Sequence, residues 1–372
     1  MKVSAEILNL VPYKPGKPIS ETQREFGLTE VYKLASNENP LGTSSKIIQA
    51  LQSHLQEQYR YPDPACYDLV QQISKSWNVP ASQIGIGNGS NEIIDLLIRI
   101  FCEPGDSILT SEAAFVAYKV CAQAARVKVR TVPLRADLTM DLKAIADDFY
   151  RNPSAKTRII FIPNPNNPTG TVVGGEDLEE FLIRLGNRDD VLLIFDEAYT
   201  EYVRDPQFKE AVKFYQKYSN IVVLKTFSKV YGLAGLRLGA MLAPEYVLEL
   251  YNRVRNPFNV NELAQVAGIA ALKDKEYIEA SQKLVWEGLD YFYKEFERLK
   301  LPYVKSEANF ILFDTLRNAE VCFNYLLRKG IILRPVGNYG FPRHLRMTVG
   351  KMDENQKAML ALEQMLAEIP VL

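Results

Sequence analysis

Short apolar runs alternate with longer segments of helical character from about residue 46 onward. The first helical segment after a strand, residues 91–102, is apolar on nearly all faces and predicts a buried helix. Such alternation indicates an α/β fold with a mainly parallel sheet covered by helices on both faces. The runs of strand length, each followed by turn residues or a helix, are residues 84–87, 107–110, 158–162, 191–195 and 221–225.

The pattern changes towards each end of the chain. Prolines and glycine at positions 12, 15, 16 and 18 predict that residues 1–35 form an extended arm rather than a packed element. After about residue 265, long amphipathic stretches such as 277–299 precede short strands near 308–313 and 345–349. We therefore predict a large domain over residues 36–264 and a smaller α+β domain over residues 265–372, against which the arm packs.

Polar and glycine residues gather directly after four of the predicted strands. One cluster covers residues 87–90, a second covers 164–168, Asp196 ends a third strand, and residues 226–229 leave the fourth. Open α/β sheets bind their ligands at the carboxyl ends of the strands. Four clusters at equivalent positions therefore predict one binding site at this edge of the sheet.

The overall charge and hydropathy exclude several classes of function. The 372 residues carry a net charge of -1, and no block of lysine and arginine indicates a nucleic-acid partner. No stretch approaches the roughly 20 apolar residues of a membrane-spanning helix. Polar residues also interrupt the N-terminal region where a signal peptide would be apolar. We expect a soluble intracellular protein without a membrane partner.

Cysteine and histidine usage narrows the chemistry further. The four cysteines, at positions 66, 102, 121 and 322, lack paired spacing. This is typical of a protein of the reducing cytoplasm, and of neither a disulfide framework nor a zinc site. With only two histidines, His54 and His344, a histidine-rich metal site is excluded and no metal is expected.

The residues at the predicted site have the chemistry of a pocket for pyridoxal phosphate. Lys229 offers an amine that can form a Schiff base with the cofactor aldehyde. Asp196 ends an apolar strand, where a carboxylate needs a partner such as the protonated ring nitrogen. Tyr199 and Asn167 can both reach the phenolic oxygen of the ring. The simpler alternatives are a helix cap or ion pair for Asp196 and a turn role for Asn167.

A second group of residues predicts binding of the cofactor phosphate. A glycine-bearing turn leads into the buried helix, where free N–H groups and the helix dipole attract an anion. An arginine can add a forked contact, and two hydroxyls close to the lysine can donate hydrogen bonds. A tight turn in which the serine merely caps the helix is the alternative. The residues are Gly89, Ser90 and Asn91 in the turn, with Thr226, Ser228 and Arg237.

Two aromatic residues complete the predicted site. Phe115 follows the strand at 107–110 and can stack on the cofactor ring, although an aromatic in this position can equally belong to the core. Tyr61 precedes the sheet and cannot easily reach the same site within one chain. We therefore predict that Tyr61 contributes its phenol across a dimer interface.

With these residues in place, the chain resembles the fold-type-I aminotransferases along nearly its whole length. Within that superfamily it looks most like the histidinol-phosphate aminotransferases. Asp196-Glu197-Ala198-Tyr199 and the segment from Lys229 to Arg237 are specific to the superfamily, whereas the N-terminal and C-terminal strings point to the subgroup. The other family-like strings are residues 12–18, 35–42, 60–62, 166–170, 332–335, 339–340 and 345–350.

This resemblance implies an aspartate-aminotransferase-like fold and a ping-pong transamination between histidinol phosphate and 2-oxoglutarate or glutamate, in histidine biosynthesis. It implies that Lys229 moves a proton between the substrate α-carbon and the cofactor. Arg346 would bind the α-carboxylate and also the substrate phosphate, helped by Arg334 and Tyr13. A homodimer with shared sites is implied as well, in which Tyr61 contacts the cofactor phosphate of the partner subunit.

One position departs from the subgroup, because the stacking residue, usually tyrosine, is Phe115 here. Stacking is kept, but a hydroxyl contact is lost, which leaves the substrate preference open. An aromatic amino-acid aminotransferase is the near alternative, if the distal pocket is apolar. A decarboxylase of a phosphorylated amino acid would use the same ring chemistry. The last alternative is a regulatory domain that binds the cofactor without catalysis, which the intact Lys229 disfavours.

Overall fold

The computed structural model describes residues 3–12 and 16–371, whose strands form three sheets. In chain order the strands are β1 (Tyr32–Lys33), β2 (Ile84–Gly87), β3 (Ser107–Ser111), β4 (Lys128–Val132), β5 (Thr157–Pro163), β6 (Leu192–Asp196), β7 (Ile221–Thr226), β8 (Gly239–Leu242), β9 (Tyr303–Val304), β10 (Phe310–Asp314), β11 (Ile331–Ile332), β12 (Arg334–Pro335) and β13 (His344–Thr348).

The α-helices of the described residues are mostly two to three turns long, with one much longer helix, α11. They are α1 (Ala5–Leu8), α2 (Ile19–Phe26), α3 (Ser45–His54), α4 (Tyr67–Trp77), α5 (Ser90–Phe101), α6 (Val116–Ala124), α7 (Leu142–Arg151), α8 (Gly175–Leu185), α9 (Glu245–Val254), α10 (Glu262–Lys273), α11 (Lys275–Leu299), α12 (Ala319–Arg328) and α13 (Met352–Glu368).

The large sheet has seven strands in the order β2-β8-β7-β6-β5-β3-β4. Its strands run parallel except β8, which pairs antiparallel with both β2 and β7. Successive side chains of a strand point to opposite faces, and here both faces are covered. In β6, Leu193 and Phe195 join one apolar cluster, whereas Leu192 and Ile194 join the cluster on the other side. This confirms the predicted α/β fold with helices on both faces.

The smaller sheet is antiparallel, in the order β12-β13-β10-β9. The helices α11, α12 and α13 contribute buried apolar side chains to the same cluster as its strands. Strand β1 pairs in parallel with β11, so that Tyr32 lies opposite Ile331. The N-terminal segment is thereby hydrogen-bonded to the C-terminal part of the chain. The predicted domain boundary after residue 264 falls within α10 and stays a prediction.

The predicted strands and the two predicted helices are present within one or two residues of their expected bounds. The extended arm, however, is wrong for residues 5–8 and 19–26, which form α1 and α2. Pro18 occupies the N-cap position with an extended backbone, and Gly27 ends the helix in a left-handed conformation, with its N–H bonded to the carbonyl of Gln23. The proline therefore directly precedes a helix here, one position before the first helical residue, where proline is most common.

Among the described residues, no helix combines the length and the apolar character that crossing a bilayer requires. The same part of the chain contains no group of three or more side chains suited to holding a metal ion.

Candidate active site

A cavity of about 290 Å³ opens at the carboxyl ends of β5, β6 and β7. Residues after β2 and β3, the segment around Asn37, and residues of the smaller sheet complete its wall. The cavity brings together most of the side chains that the sequence predicted for one site. Those lining it are Ser90, Asn91, Phe115, Asn167, Asp196, Tyr199, Thr226, Ser228, Lys229, Arg237, Arg334 and Arg346.

Asp196 ends β6 as a carboxylate that is 6% exposed. Its Oδ2 atom accepts a hydrogen bond of 2.6 Å from the phenol of Tyr118, whereas Oδ1 accepts none within the described residues. Burial raises the pKa of Asp196, and the Tyr118 hydroxyl, the nearby N–H of Ala198 and the charge of Lys229 act in the opposite direction. Because buried acceptors are nearly always satisfied, Oδ1 indicates a site for a donor from a ligand.

Lys229 follows β7 on the turn that leaves the sheet. Its Nζ atom donates to the carbonyl of Ser36 at 3.3 Å and lies 5.7 Å from the centre of the Tyr199 ring. Burial, together with the positive charges of Arg346 and Arg237, lowers the pKa of this lysine to about 8. An amine with such a pKa is deprotonated often enough near neutral pH to act as a nucleophile or a base.

Tyr199 is buried beside the lysine, and Asn37 holds its hydroxyl. The side-chain amide of Asn37 donates to the Tyr199 oxygen at 3.0 Å. Asn37 is itself fixed, because its backbone N–H donates to the hydroxyl of Thr348 at 2.9 Å. Burial raises the pKa of Tyr199 to about 12, so the phenol keeps its proton. With its oxygen accepting from Asn37, the hydroxyl is set to donate into the cavity.

The N-terminus of α5 and the guanidinium of Arg237 meet at the other end of the cavity. Helix α5 begins at Ser90, and Gly89 occupies the N-cap position, so the alternative in which Ser90 caps the helix is wrong. Gly89 has φ of +78°, and a Cβ atom there would lie 2.5 Å from Nη2 of Arg237. Nη1 of Arg237 lies 3.5 Å from the hydroxyl of Ser228, whose N–H bonds to Thr226. Helix amides, a guanidinium and hydroxyls together suit a phosphate.

Two arginines face each other on neighbouring strands of the smaller sheet. Arg334 of β12 pairs directly with Arg346 of β13, and side chains at directly paired positions lie on the same face. Arg346 donates to Oδ1 of Asn167 at 2.5 Å and to the carbonyl of Ala35 at 2.7 Å. Two guanidinium groups at one wall make this part of the cavity suited to an anionic group.

Of the two remaining predicted residues, the structure describes Tyr61 and places it away from the cavity. Tyr61 is 81% exposed, stacks on Phe258 with 4.6 Å between ring centres, and lies outside the cavity wall. Tyr13 lies outside the described residues. Phe115 does line the cavity, and its edge contacts the ring of Tyr118 at 5.7 Å between ring centres.

The cavity wall also contains residues that the sequence did not single out, above all Asn37, Tyr118 and Tyr339. Asn37 and Tyr339 belong to the family-like strings, but no role was assigned to them. Tyr118 could have been found from its spacing, since a residue three positions after Phe115 lies near the same face of α6.

Comparison with known protein families shows to which family the chain belongs. The model of the family described as "Aminotransferase class I and II" matches residues 29–362. The chain belongs to the class I and II aminotransferases. This aminotransferase is 58% identical over 369 residues to the histidinol-phosphate aminotransferase of Bdellovibrio bacteriovorus, with 99% of each chain covered. The expected family and subgroup are thereby confirmed, and the reading as a non-enzymatic regulatory domain is set aside.

Solved structures show the same fold. The histidinol-phosphate aminotransferase of Sinorhizobium meliloti, solved in complex with pyridoxal-5'-phosphate, is similar with a TM-score of 0.89 at 23% identity, covering 99% of this chain and 98% of that one. The aspartate aminotransferase of Thermus thermophilus with maleate gives 0.83 at 18% identity, covering 98% and 100%. The aspartate-aminotransferase-like fold of this aminotransferase is therefore confirmed.

Proposed function

We propose that this chain is a pyridoxal-phosphate-dependent enzyme that transfers an amino group between histidinol phosphate and 2-oxoglutarate. The observation that carries the proposal is the juxtaposition, in one cavity, of a lysine with a pKa of about 8 and a buried carboxylate oxygen without a donor. The 58% identical relative named for this substrate supports the choice of amino donor.

Pyridoxal phosphate fits the donor set of the cavity. Asp196 would hold the ring nitrogen through Oδ1, and Tyr199 with Asn167 would hold the phenolic oxygen. Phe115 would stack on the ring. The phosphate would be held by Gly89, Ser90, Asn91, Thr226, Ser228 and Arg237. When bound, this cofactor supplies an aldehyde that accepts the amino group and a conjugated ring that delocalises the electron pair left on the substrate α-carbon.

The residues of the chain then divide the work of proton transfer and charge stabilisation. Lys229 would move a proton from the substrate α-carbon to the cofactor, for which an amine with a pKa of about 8 is suited. Asp196 would keep a positive charge on the ring nitrogen, because a buried carboxylate favours a cationic donor. Tyr199, which is protonated at neutral pH, would donate a hydrogen bond to the phenolic oxygen of the ring.

The arginine pair accounts for the two substrates of a ping-pong cycle. Arg346 binds the α-carboxylate of glutamate in one half-reaction and the phosphate of histidinol phosphate in the other, helped by Arg334 and Tyr13. A guanidinium can form paired hydrogen bonds with either anion. One anion site can therefore serve both half-reactions, although the two substrates carry their negative charge on different groups.

We further propose a homodimer with shared sites, acting in the cytoplasm. Tyr61 and Phe258 stack on each other at the surface, and Tyr59 and Tyr67 nearby along the chain are also exposed. Large exposed aromatic side chains of this kind are typical of an interface. Tyr61 would reach the cofactor phosphate in the partner subunit. The cytoplasmic assignment is supported by the four cysteines, all of which are free thiols.

The test is a single-turnover measurement with the protein loaded with pyridoxal phosphate. The cofactor spectrum is recorded after mixing with histidinol phosphate and, separately, with phenylalanine. We expect rapid conversion to the pyridoxamine form with histidinol phosphate and slow conversion with phenylalanine. Comparable rates with the two amino donors would identify an aromatic aminotransferase. In a separate assay with threonine phosphate, release of carbon dioxide would identify a decarboxylase. Lys229→Ala is the control in which neither amino donor should convert the cofactor.

A further inference from the structure

Tyr118 occupies a rigid position between the core and the cavity. It lies on α6 and is 1% exposed. Its ring stacks on Phe161 of β5, with 4.3 Å between ring centres and 7° between the planes. The edge contact with Phe115 restrains the ring from a second direction. Packing of this kind fixes where the hydroxyl can lie, so the 2.6 Å hydrogen bond to Asp196 is not made by a freely rotating side chain.

The two oxygens of Asp196 have different surroundings. Oδ2 accepts from Tyr118, and Oδ1 is buried without an accepted hydrogen bond in the described residues. Burial raises the pKa of the Tyr118 phenol well above its usual range, and the charge of Asp196 raises it further. The phenol therefore keeps its proton near neutral pH and stays a hydrogen-bond donor. A rigid donor on one oxygen fixes the plane of the carboxylate and leaves the other oxygen for a ligand.

We propose that Tyr118 is a positioning residue that fixes the Asp196 carboxylate, so that Oδ1 is reserved for the ring nitrogen of the cofactor. The inference rests on the proposed function, because it takes the ligand to be pyridoxal phosphate. The hydroxyl stabilises the ionised carboxylate, which would otherwise lie in dry surroundings without a side-chain donor to either oxygen. Tyr118 acts through Asp196 and does not touch the reacting atoms.

The proposal predicts that the benefit of the Tyr118 hydroxyl depends on the ring nitrogen of the ligand. We therefore compare pyridoxal phosphate with its 1-deaza analogue, in which a C–H group replaces the ring nitrogen. Dissociation constants are measured by equilibrium dialysis with the apo forms of the wild type and of Tyr118→Phe. We expect Tyr118→Phe to bind pyridoxal phosphate about tenfold more weakly, as for a lost charge-assisted hydrogen bond. Binding of the analogue should not weaken.

Tyr251→Phe is the matched control. Tyr251 is buried in the same apolar cluster, and its hydroxyl donates to the carbonyl of Ile86 at 3.1 Å, away from the cavity. This variant loses the same oxygen atom, and both affinities should stay within twofold of the wild type. A second test combines Tyr118→Phe with Asp196→Asn. In that background, removal of the hydroxyl should no longer change the ratio of the two affinities.

The outcomes separate the inference from the proposed function. Equal weakening of both ligands by Tyr118→Phe would mean that the tyrosine only supports the fold of the cavity, and no change with either ligand would also overturn the inference. In both cases a wild type that binds pyridoxal phosphate leaves the proposed function intact. A wild type that fails to bind pyridoxal phosphate would overturn the proposed function and this inference together.

Discussion

The side chains of the cavity are ionisable groups placed in dry surroundings, and burial is the first cause of their altered pKa values. Lys229 has a lowered pKa, whereas Asp196 and Tyr199 have raised ones. All three shifts have the sign expected when water is removed from the charged form. Clusters of such groups at a cavity are typical of active sites.

The lowered pKa of Lys229 predicts that this residue destabilises the apo protein by an amount that depends on pH. The pKa falls from 10.5 to about 8 on folding, so the unfolded chain binds the proton more tightly. The free energy of unfolding therefore rises as the pH increases from about 8 to 10.5. We expect apo Lys229→Met to be more stable than the wild type at pH 7, on the order of 1–3 kcal/mol for this half-buried amine. The gain should shrink through that pH window.

Urea unfolding of the apo proteins at pH 7 and pH 10 measures this effect. The control is Lys283→Met, since the side chain of Lys283 is 75% exposed and its replacement should leave stability nearly unchanged. A stability gain for Lys229→Met that stays constant between the two pH values would contradict the assigned pKa. It would indicate that better apolar packing alone stabilises the variant.

Site residues were predictable from the sequence where they lie at or just after the end of a predicted strand. Asp196 and Lys229 each follow an apolar strand, and their positions in the cavity are as expected. The Tyr118 contact was missed because it depends on how closely α6 approaches β6, 78 residues along the chain. Asn37 was missed for the same reason, since Thr348, which holds its backbone, lies 311 residues away.

Among the strands of the large sheet, the buried parallel ones were predictable from the sequence, whereas β4 and β8 were not. Strand β4 lies at the sheet edge, and its residues are only partly buried, so its apolar pattern is weak. Strand β8, with the sequence Gly-Ala-Met-Leu, begins with two residues of low strand propensity. Its antiparallel place between β2 and β7 follows from tertiary pairing. The facing of Arg334 and Arg346 likewise depends on strand register, which the sequence does not reveal.

The register of β12 and β13 predicts how Arg334 affects substrate choice. We expect Arg334→Gln to raise KM for histidinol phosphate by about tenfold or more, because a charge-assisted contact to the phosphate is lost. KM for phenylalanine should change less, because its single anionic group is a singly charged carboxylate, which Arg346 can bind without Arg334. Steady-state kinetics with both amino donors measures the difference. Arg328→Gln, an exposed arginine at the end of α12, is the matched control. An equal rise in KM for both amino donors would show that Arg334 does not bind the phosphate specifically.

The close contact between β8 and the start of α5 predicts that a side chain at Gly239 would disturb both the fold and the cofactor site. A Cβ atom on Gly239 would lie 2.3 Å from the backbone nitrogen of Ser90 and 2.6 Å from the carbonyl carbon of Gly89. Backbone atoms cannot rotate away, so Gly239→Ala must displace the helix N-terminus. We expect a loss of stability of about 1–3 kcal/mol and clearly weaker binding of pyridoxal phosphate.

Thermal unfolding and equilibrium dialysis of Gly239→Ala test this expectation. Gly235→Ala is the control, because no atom lies within 4 Å of a Cβ atom at that position. Weaker cofactor binding without a loss of stability would still place the helix terminus at the phosphate. Unchanged binding in a destabilised Gly239→Ala protein would place the phosphate elsewhere.

The cavity depends on three separate parts of the chain. Lys229 lies on the turn after β7 of the large sheet and donates to the carbonyl of Ser36 in the N-terminal segment. Arg346 comes from the smaller sheet and bonds to the carbonyl of Ala35 in the same segment. Residues 35–37 therefore lie between the lysine and the arginine, and β1 ties the chain just before them to β11. This arrangement explains why motifs far apart in sequence converge on one site.

The exposed position of Tyr61 predicts complementation between inactive subunits. If Tyr61 serves the site of the partner subunit, a hybrid of a Lys229→Ala chain and a Tyr61→Ala chain contains one site with neither change. Random assembly makes half of the dimers hybrid, so a mixture should recover about a quarter of wild-type activity. Each variant alone should have little activity. Co-expression with two affinity tags allows the hybrid to be isolated and its activity measured.

The control hybrid pairs Lys229→Ala with Asp196→Ala. Both residues lie in the cavity of one chain, so every site of this hybrid is damaged and no recovery is expected. Recovery with Tyr61→Ala but not with Asp196→Ala would establish a site built from two subunits. Absence of recovery in both hybrids, with dimers present in solution, would show that Tyr61 acts within its own chain or only at the interface. The exposed stack of Tyr61 on Phe258 would then be a dimer contact without a role in cofactor binding.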